Sequence, residues 1–134
     1  MYDKIILALS LEHGIAEQAL ETARRLGGKD AEIIAVHVYE PPSGSVSTYL
    51  DEDLVRKAYD DAKRALKARF DNAPEVTPVI LKGHSSRTIT EYAAEINANA
   101  IIVGSHMPGL RDYFLGTTAA RIVRHAPCAV IVLR

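Results

Sequence analysis

The chain has a single cysteine, Cys128. One thiol cannot form an intramolecular disulfide or a cysteine-based zinc site. Long apolar runs are also missing. The first short run, Ile5 to Leu9, cannot serve as the core of a secretion signal and is far too short to cross a bilayer. A reducing cytoplasm is therefore the expected compartment. No sign of charge dominates: 16 Lys and Arg stand against 17 Asp and Glu, a formal net of -1. Such a balance creates no strong field, so nucleic acid and anionic membrane are poor candidates as partners.

Several chemistry-bearing motifs are absent as well. No Gly-x-Gly-x-x-Gly follows the first apolar run, and no Gly-x-x-x-x-Gly-Lys-Ser/Thr occurs anywhere. That excludes the ordinary dinucleotide fold and the P-loop. Ser10, Ser85, Ser86 and Ser105 lack the Gly-x-Ser-x-Gly elbow of a hydrolase. A phospho-receiver domain needs two acidic residues after its first strand, where this chain has Ser10-Leu11. His37, His84 and His106 each follow an apolar run, yet none has a carboxylate or cysteine beside it at metal-ligand spacing. No metal site is expected from them. Cys128 lies between Pro127 and an apolar run, with no base or cationic helix start next to it. It reads as an inert core thiol.

What is present is apolar material for one core. Hydrophobic residues make up 48% of 134 residues, which suits one domain over 1–134. Five runs rich in Ile and Val stand out: Ile5 to Leu9, Ile33 to Val38, Val79 to Leu81, Ala100 to Val103 and Ala129 to Leu133. They do not alternate with polar residues, as expected of strands buried on both faces. Between them lie four segments with helical spacing. Ala16, Ala19, Leu20 and Ala23 share a face ahead of Gly27-Gly28. Val55, Ala58, Tyr59, Ala62 and Leu66 share another, Ile89, Tyr92, Ala93 and Ile96 a third, and Ala119, Ile122, Val123 and Ala126 a fourth. Strict alternation predicts an α/β fold: a Rossmann-like, open, five-stranded parallel sheet with helices on both faces. Tyr39 to Leu50 reads as a surface insertion, connector or lid with equal weight. Asp51-Glu52-Asp53 reads as the charged start of the second helix.

In such sheets ligands bind outside the carboxyl ends of the strands, where strand order reverses. The most informative of these ends is Gly104-Ser105-His106-Met107-Pro108-Gly109, followed by Gly116-Thr117-Thr118 opening the last helix. Glycines let a backbone approach a ligand, and free N–H groups at a helix start with two hydroxyls make an anion site. Ordinary turn and cap chemistry explains the same residues about equally well.

Three stretches resemble the universal stress protein signature: Ala100-Ile101-Ile102-Val103-Gly104-Ser105-His106, Leu115-Gly116-Thr117, and Ile122-Val123-Arg124-His125-Ala126-Pro127-Cys128-Ala129-Val130-Ile131-Val132. Lys4-Ile5-Ile6-Leu7-Ala8 and Val36-His37-Val38 fall at matching places. The resemblance covers the whole chain and is strongest over its last third. It implies a homodimer and an adenine nucleotide, ATP or AMP. Gly104, Gly109, Gly116, Thr117 and Thr118 would hold phosphates, Ser10 would meet the ribose, Val38 the adenine, and His106 and Met107 would shape the loop. Nucleotide-binding members space their glycines as Gly, two residues, Gly, nine residues, Gly-Ser or Gly-Thr. Here Met107 occupies the middle position and eight residues separate it from Gly116, as in a shorter-loop branch. Where the family has Asp after the first strand, this chain has Ser10, a poor magnesium ligand.

The last run, Ala129 to Leu133, is expected at a sheet edge, where an apolar strand needs cover. A second copy pairing antiparallel around a two-fold axis supplies it, as the resemblance implies. Leu110, Tyr113 and Phe114 folding over the edge is the alternative. The expected function is a nucleotide-binding regulatory protein of the stress response. A dimeric interaction protein with a vestigial pocket is the alternative, favoured by Ser10 and Met107. A slow ATPase or autokinase ranks last, because nothing supplies an evident general base or metal cluster.

Overall fold

The structure, a computed structural model, describes residues 1–11, 14–41, 52–105 and 115–134. Among them strands and helices alternate: β1 (Lys4–Ala8), α1 (Ala16–Gly27), β2 (Glu32–Tyr39), α2 (Glu52–Ala68), β3 (Val76–Lys82), α3 (Ser85–Glu95), β4 (Ala100–Gly104), α4 (Thr117–His125) and β5 (Ala129–Leu133). The sheet is five-stranded in the order β3-β2-β1-β4-β5, and every neighbouring pair is parallel. This is the expected α/β architecture.

The unbroken apolar runs have a direct physical cause. Ile5, Leu7, Ile33, Ala35, Ala100 and Ile102 face one core, with Ala19, Leu20 and Ala23 of α1 and Leu66 of α2. Ile6, Ala8, Ile34, Val36, Ile101 and Val103 face the other, with Ile89 and Ala93 of α3 and Ala119 and Ile122 of α4. Alternate residues of each strand thus enter different cores, and neither face of the central strands meets water. Burying a side chain of the size of Ile5 or Ile101, both fully covered, stabilises the fold by about 2 kcal/mol.

Four local expectations are corrected. Tyr39 belongs to β2 rather than to the insertion, because it continues the ladder opposite Lys82. Its ring stacks edge-on against Tyr59, 6.0 Å between centroids, and the Lys82 ammonium lies 4.5 Å over the Tyr59 ring. The third strand begins at Val76, three residues before the apolar run, since an edge strand tolerates Pro78. Leu66 alone is buried on α2, and Ala58 is exposed, because α2 packs mainly on β2 and β3, near the sheet margin. Finally, Cys128 is only partly buried, at the margin of the second core. Residues 42–51, which include most of the proposed insertion and Asp51, lie outside the described residues, as do Leu110, Tyr113 and Phe114.

Two features fix the ends of the elements. Gly27 closes α1 so tightly that a Cβ there would stand 2.3 Å from the Cβ of Ala31, and Gly28 turns the chain at φ 73°. At the amino end of the sheet, Asn99 clamps β1. Its Oδ1 accepts from the N–H groups of Asp3 and Lys4 at 2.9 and 2.8 Å, while its own N–H donates to the Lys4 carbonyl.

Replacing Asn99 by Ala leaves the part-buried Lys4 N–H without its acceptor. The expected cost is about 1–2 kcal/mol, or a fall in Tm of roughly 3–8 °C. Asn99→Asp retains an acceptor and is expected to lose less, which calorimetry on the two variants checks. Burial also pushes the Cys128 thiol up from its ordinary pKa, so little of it is thiolate near neutrality. Alkylation by iodoacetamide at pH 7.5 is expected to run several-fold slower than with an exposed cysteine peptide, and to accelerate steadily above pH 9. A rate equal to the peptide's contradicts the burial.

Candidate functional site

The strand order reverses between β1 and β4. The connection from β1 goes to one side of the sheet and that from β4 to the other, so a crevice opens above the carboxyl ends of these two strands. It has a volume of about 390 Å³, within the range of small-molecule sites. Ala8, Leu9 and Ser10 line it from β1, His37, Val38 and Glu40 from β2, and Val103 and Gly104 from β4. Ser85 and Ile89 of α3, Gly116, and Thr117, Thr118 and Ala119 of α4 complete the wall, with Ile15 at the entrance to α1.

Six of the residues picked from the sequence, Ser10, Val38, Gly104, Gly116, Thr117 and Thr118, therefore meet on one cleft. His106, Met107 and Gly109 lie outside the described residues. The two glycines of the cleft differ in kind. A Cβ on Gly104 would come within 2.9 Å of Ile15 Cδ1, so its bareness lets Ile15 close down on the strand end. Gly116 is the N-cap of α4 with φ -60° and ψ 155°, a conformation open to any residue. Its lack of a side chain is thus not demanded by the backbone.

Three helices begin at this cleft: α1 meets it through its N-cap Ile15, and α3 and α4, whose first turns line it, are finished differently. On α3 the N-cap His84 makes no side-chain cap bond. Instead the Ser85 N–H donates to Glu40 Oε1 at 2.8 Å, a carboxylate on the positive end of the helix dipole. On α4 the N-cap Gly116 makes no side-chain cap bond either, and no carboxylate takes the place of one among the described residues. The first-turn N–H groups of α4, beside the exposed Thr117 and Thr118, are thus left without a capping partner among the described residues, the kind of helix end that suits an anion.

The histidines are engaged singly. His37 Nδ1 lies 3.0 Å from the Leu9 carbonyl. A carbonyl only accepts, so Nδ1 carries the proton and the ring braces the end of β1. His84 Nε2 lies 3.1 Å from Arg121 Nη1 and its Nδ1 lies 3.4 Å from Ser86 Oγ. A guanidinium only donates, so Nε2 accepts and Nδ1–H points to the serine. This imidazole joins α3 to α4. Among the described residues no three His, Cys, Asp or Glu side chains gather as a metal site. Ser10 is held through its backbone: Arg69, just beyond α2, donates to the carbonyls of Ser10 and Leu11.

Glu40, Ile15 and Arg69 were not picked from the sequence. Glu40 carried a signal, since it stands two residues beyond Val38 and so on the same face of an extended chain. Arg69 carried none, because its partners lie 58 and 59 residues away. At the opposite end of the sheet a depression of about 430 Å³ is lined by Arg24, Gly28, Lys29, Ala31, Ile33 and Glu75. It is slightly larger but lies away from the switch point, and its Arg24 is already paired with Glu75.

Comparison with known proteins agrees with this architecture. Universal stress protein G of Salmonella typhimurium is 28% identical, with both chains fully covered. A universal stress protein of Thermus aquaticus is 24% identical, again over the full length of both. Among solved structures, the universal stress protein UspA from Lactobacillus plantarum superposes with a TM-score of 0.80, at 24% identity and covering 99% of this chain and 98% of that one. A universal stress protein solved in complex with cAMP superposes with a TM-score of 0.62, at 20% identity, covering 99% and 97%. These last two likenesses are likenesses of fold. No helix among the described residues is long and apolar enough to cross a membrane. The universal stress protein family model matches residues 1–134, the whole of the sequence whose sheet, switch point and helix ends are described above, and the chain belongs to that family.

Proposed function

We propose that this protein binds an adenine nucleotide, ATP or AMP, in the cleft between β1 and β4, and acts by holding it, in a sensing or regulatory role in the stress response. The observation that carries this reading is the uncapped N-terminus of α4, with the Thr117 and Thr118 hydroxyls beside it, on the wall of a cleft at the switch point. A phosphate chain matches that donor set: backbone N–H groups, two hydroxyls and a favourable helix dipole. The volume of about 390 Å³ suits a nucleotide. The Val38 backbone, at the far wall, suits the base, and Ser10 suits a sugar hydroxyl. The family relative solved with cAMP supports an adenine nucleotide as a ligand class for the fold.

Magnesium has little to hold it here. Glu40 is the one carboxylate among the described lining residues, and it is bonded to the Ser85 N–H. Ser10 offers a hydroxyl where a hard dication prefers charged oxygen. These features favour binding over turnover, and among the described lining residues nothing beside the α4 N-terminus serves as a general base.

A homodimer is the second part of the proposal. β5 is an edge strand, and none of its residues is fully buried. Val123 of α4, next to it in the fold, remains 49% exposed. An apolar edge of this kind is covered by antiparallel pairing with a second copy.

Isothermal titration of the nucleotide-stripped protein is expected to give saturable ATP binding that changes little on adding magnesium. Thr117→Ala is expected to lose about tenfold in affinity, the worth of one hydrogen bond to a charged group. Gly116→Val is expected to lose about tenfold or more by adding a side chain at the cleft wall, with the backbone unstrained. No heat at millimolar ATP overturns the reading. Light scattering is expected to give twice the chain mass of 14.6 kDa; a single-chain mass at tens of micromolar removes the dimer.

A further inference from the structure

Glu40 sits where a ligand-selecting group would sit, and its geometry is settled by one bond. It follows the last residue of β2, lines the cleft, and its Oε1 accepts the Ser85 N–H at 2.8 Å. That bond stands in for the cap that α3 lacks. It also anchors the carboxylate, leaving Oε2 as an acceptor for something else. Among the described residues no hydrogen bond to Oε2 is made.

The consequence for the cleft is electrical as well as geometric. Each helix N-terminus is worth roughly half a positive charge. At α4 that charge stands uncompensated among the described residues, with Thr117 and Thr118 beside it. At α3 the Glu40 carboxylate accepts the Ser85 N–H and offsets that charge, while the Arg121 guanidinium stands beside the N-cap His84. A phosphorylated ligand is then expected to place its phosphates toward α4 and a donor toward the Glu40 carboxylate.

We infer that Glu40 is a specificity-determining residue, fixed by the Ser85 N–H, whose free carboxylate oxygen selects a ligand base with an amino donor on the edge facing it. The inference rests on the proposed nucleotide reading, in which the base lies against Val38. Val38 and Glu40 both line the cleft at one strand end, so Glu40 flanks a base that lies against the Val38 backbone. A 6-amino purine offers such a donor. A 6-oxo purine puts a carbonyl at that position, which a carboxylate repels, and its nearest donor, N1–H, lies one ring atom away. Guidance of this kind costs the wrong base twice, by a lost hydrogen bond and by two acceptors brought face to face.

The geometry makes the test unusually direct. In Glu40→Gln the amide oxygen can keep the Ser85 N–H, and the amide nitrogen then takes the place of Oε2. The atom offered to the base changes from acceptor to donor without a change of shape. Titration calorimetry on the full-length, nucleotide-stripped protein would compare ATP with inosine triphosphate, which differs from it by 6-oxo for 6-amino. The wild type is expected to favour ATP by about tenfold. Glu40→Gln is expected to abolish or invert that preference, with a melting temperature close to the wild type's. Glu40→Ala, which loses the cap and the acceptor together, is expected to bind both triphosphates alike.

Two failures are separable. If the wild type binds neither triphosphate at millimolar concentration, the nucleotide reading falls and this inference with it. If the wild type binds both, and its ratio of affinities is unchanged in Glu40→Gln, the nucleotide reading stands and the role of Glu40 is overturned.

Discussion

The pairing of β1 with β4 is the constraint on which the rest of the molecule depends. These strands are neighbours in space and separated by most of the chain, with Ile5 opposite Ala100 and Ala8 opposite Val103. Their side chains between those ends are almost wholly removed from water on both sides of the sheet. A register slip by one residue would exchange the two cores, placing Ile5 and Leu7 where Ile6 and Ala8 now sit. Asn99 opposes such a slip from the amino end by binding three backbone groups of Asp3 and Lys4 at once. At the carboxyl end the same pairing sets how far Ser10 stands from Gly104, and hence the width of the cleft.

Position around the cleft is then a matter of which elements meet there. Val38 and Glu40 arrive with β2, Ser85 with α3, and Thr117 and Thr118 with α4. His84 ties the two helices together through Arg121, while Arg69 reaches over from α2 to hold the turn after β1. The cleft is lined by six separate segments. Of the side chains that brace its walls, Glu40 and His37 also line it, whereas His84, Arg121 and Arg69 do not.

The three central strands were legible in the sequence because burial on both faces leaves continuous Ile and Val without alternation; the edge strands β3 and β5 carry similar runs with only partial burial. The first, third and fourth helices were legible from their spacing, although Val123, read onto the same face as Ala119 and Ile122, is 49% exposed. α2 was legible as a helix and less so in its burial, since a helix at the sheet margin keeps an amphipathic stripe that little covers. Ala58 lies on that stripe and is exposed. In the cleft, the Gly-Thr-Thr opening of α4 had a local signature and the switch-point rule gave it a location. Glu40 and Arg69 act through partners distant in sequence, and no local pattern announces a bond from a carboxylate to a helix forty-five residues on. Gly104 was read as a place for a ligand to approach; it lines the cleft, and Ile15 also packs against it.

The two margins of the sheet are chemically unlike. β3 carries Pro78 within its ladder, so one backbone donor is missing from that strand, and its ends carry exposed Thr77 and Lys82. β5 carries no proline and five apolar side chains. A sheet sticky at both margins would grow into a ribbon, chain upon chain, without limit. With one margin interrupted by an imino acid, the other is the adhesive margin of the described sheet. Under the proposed pairing, two copies would satisfy one another through it, and growth of the sheet would end there.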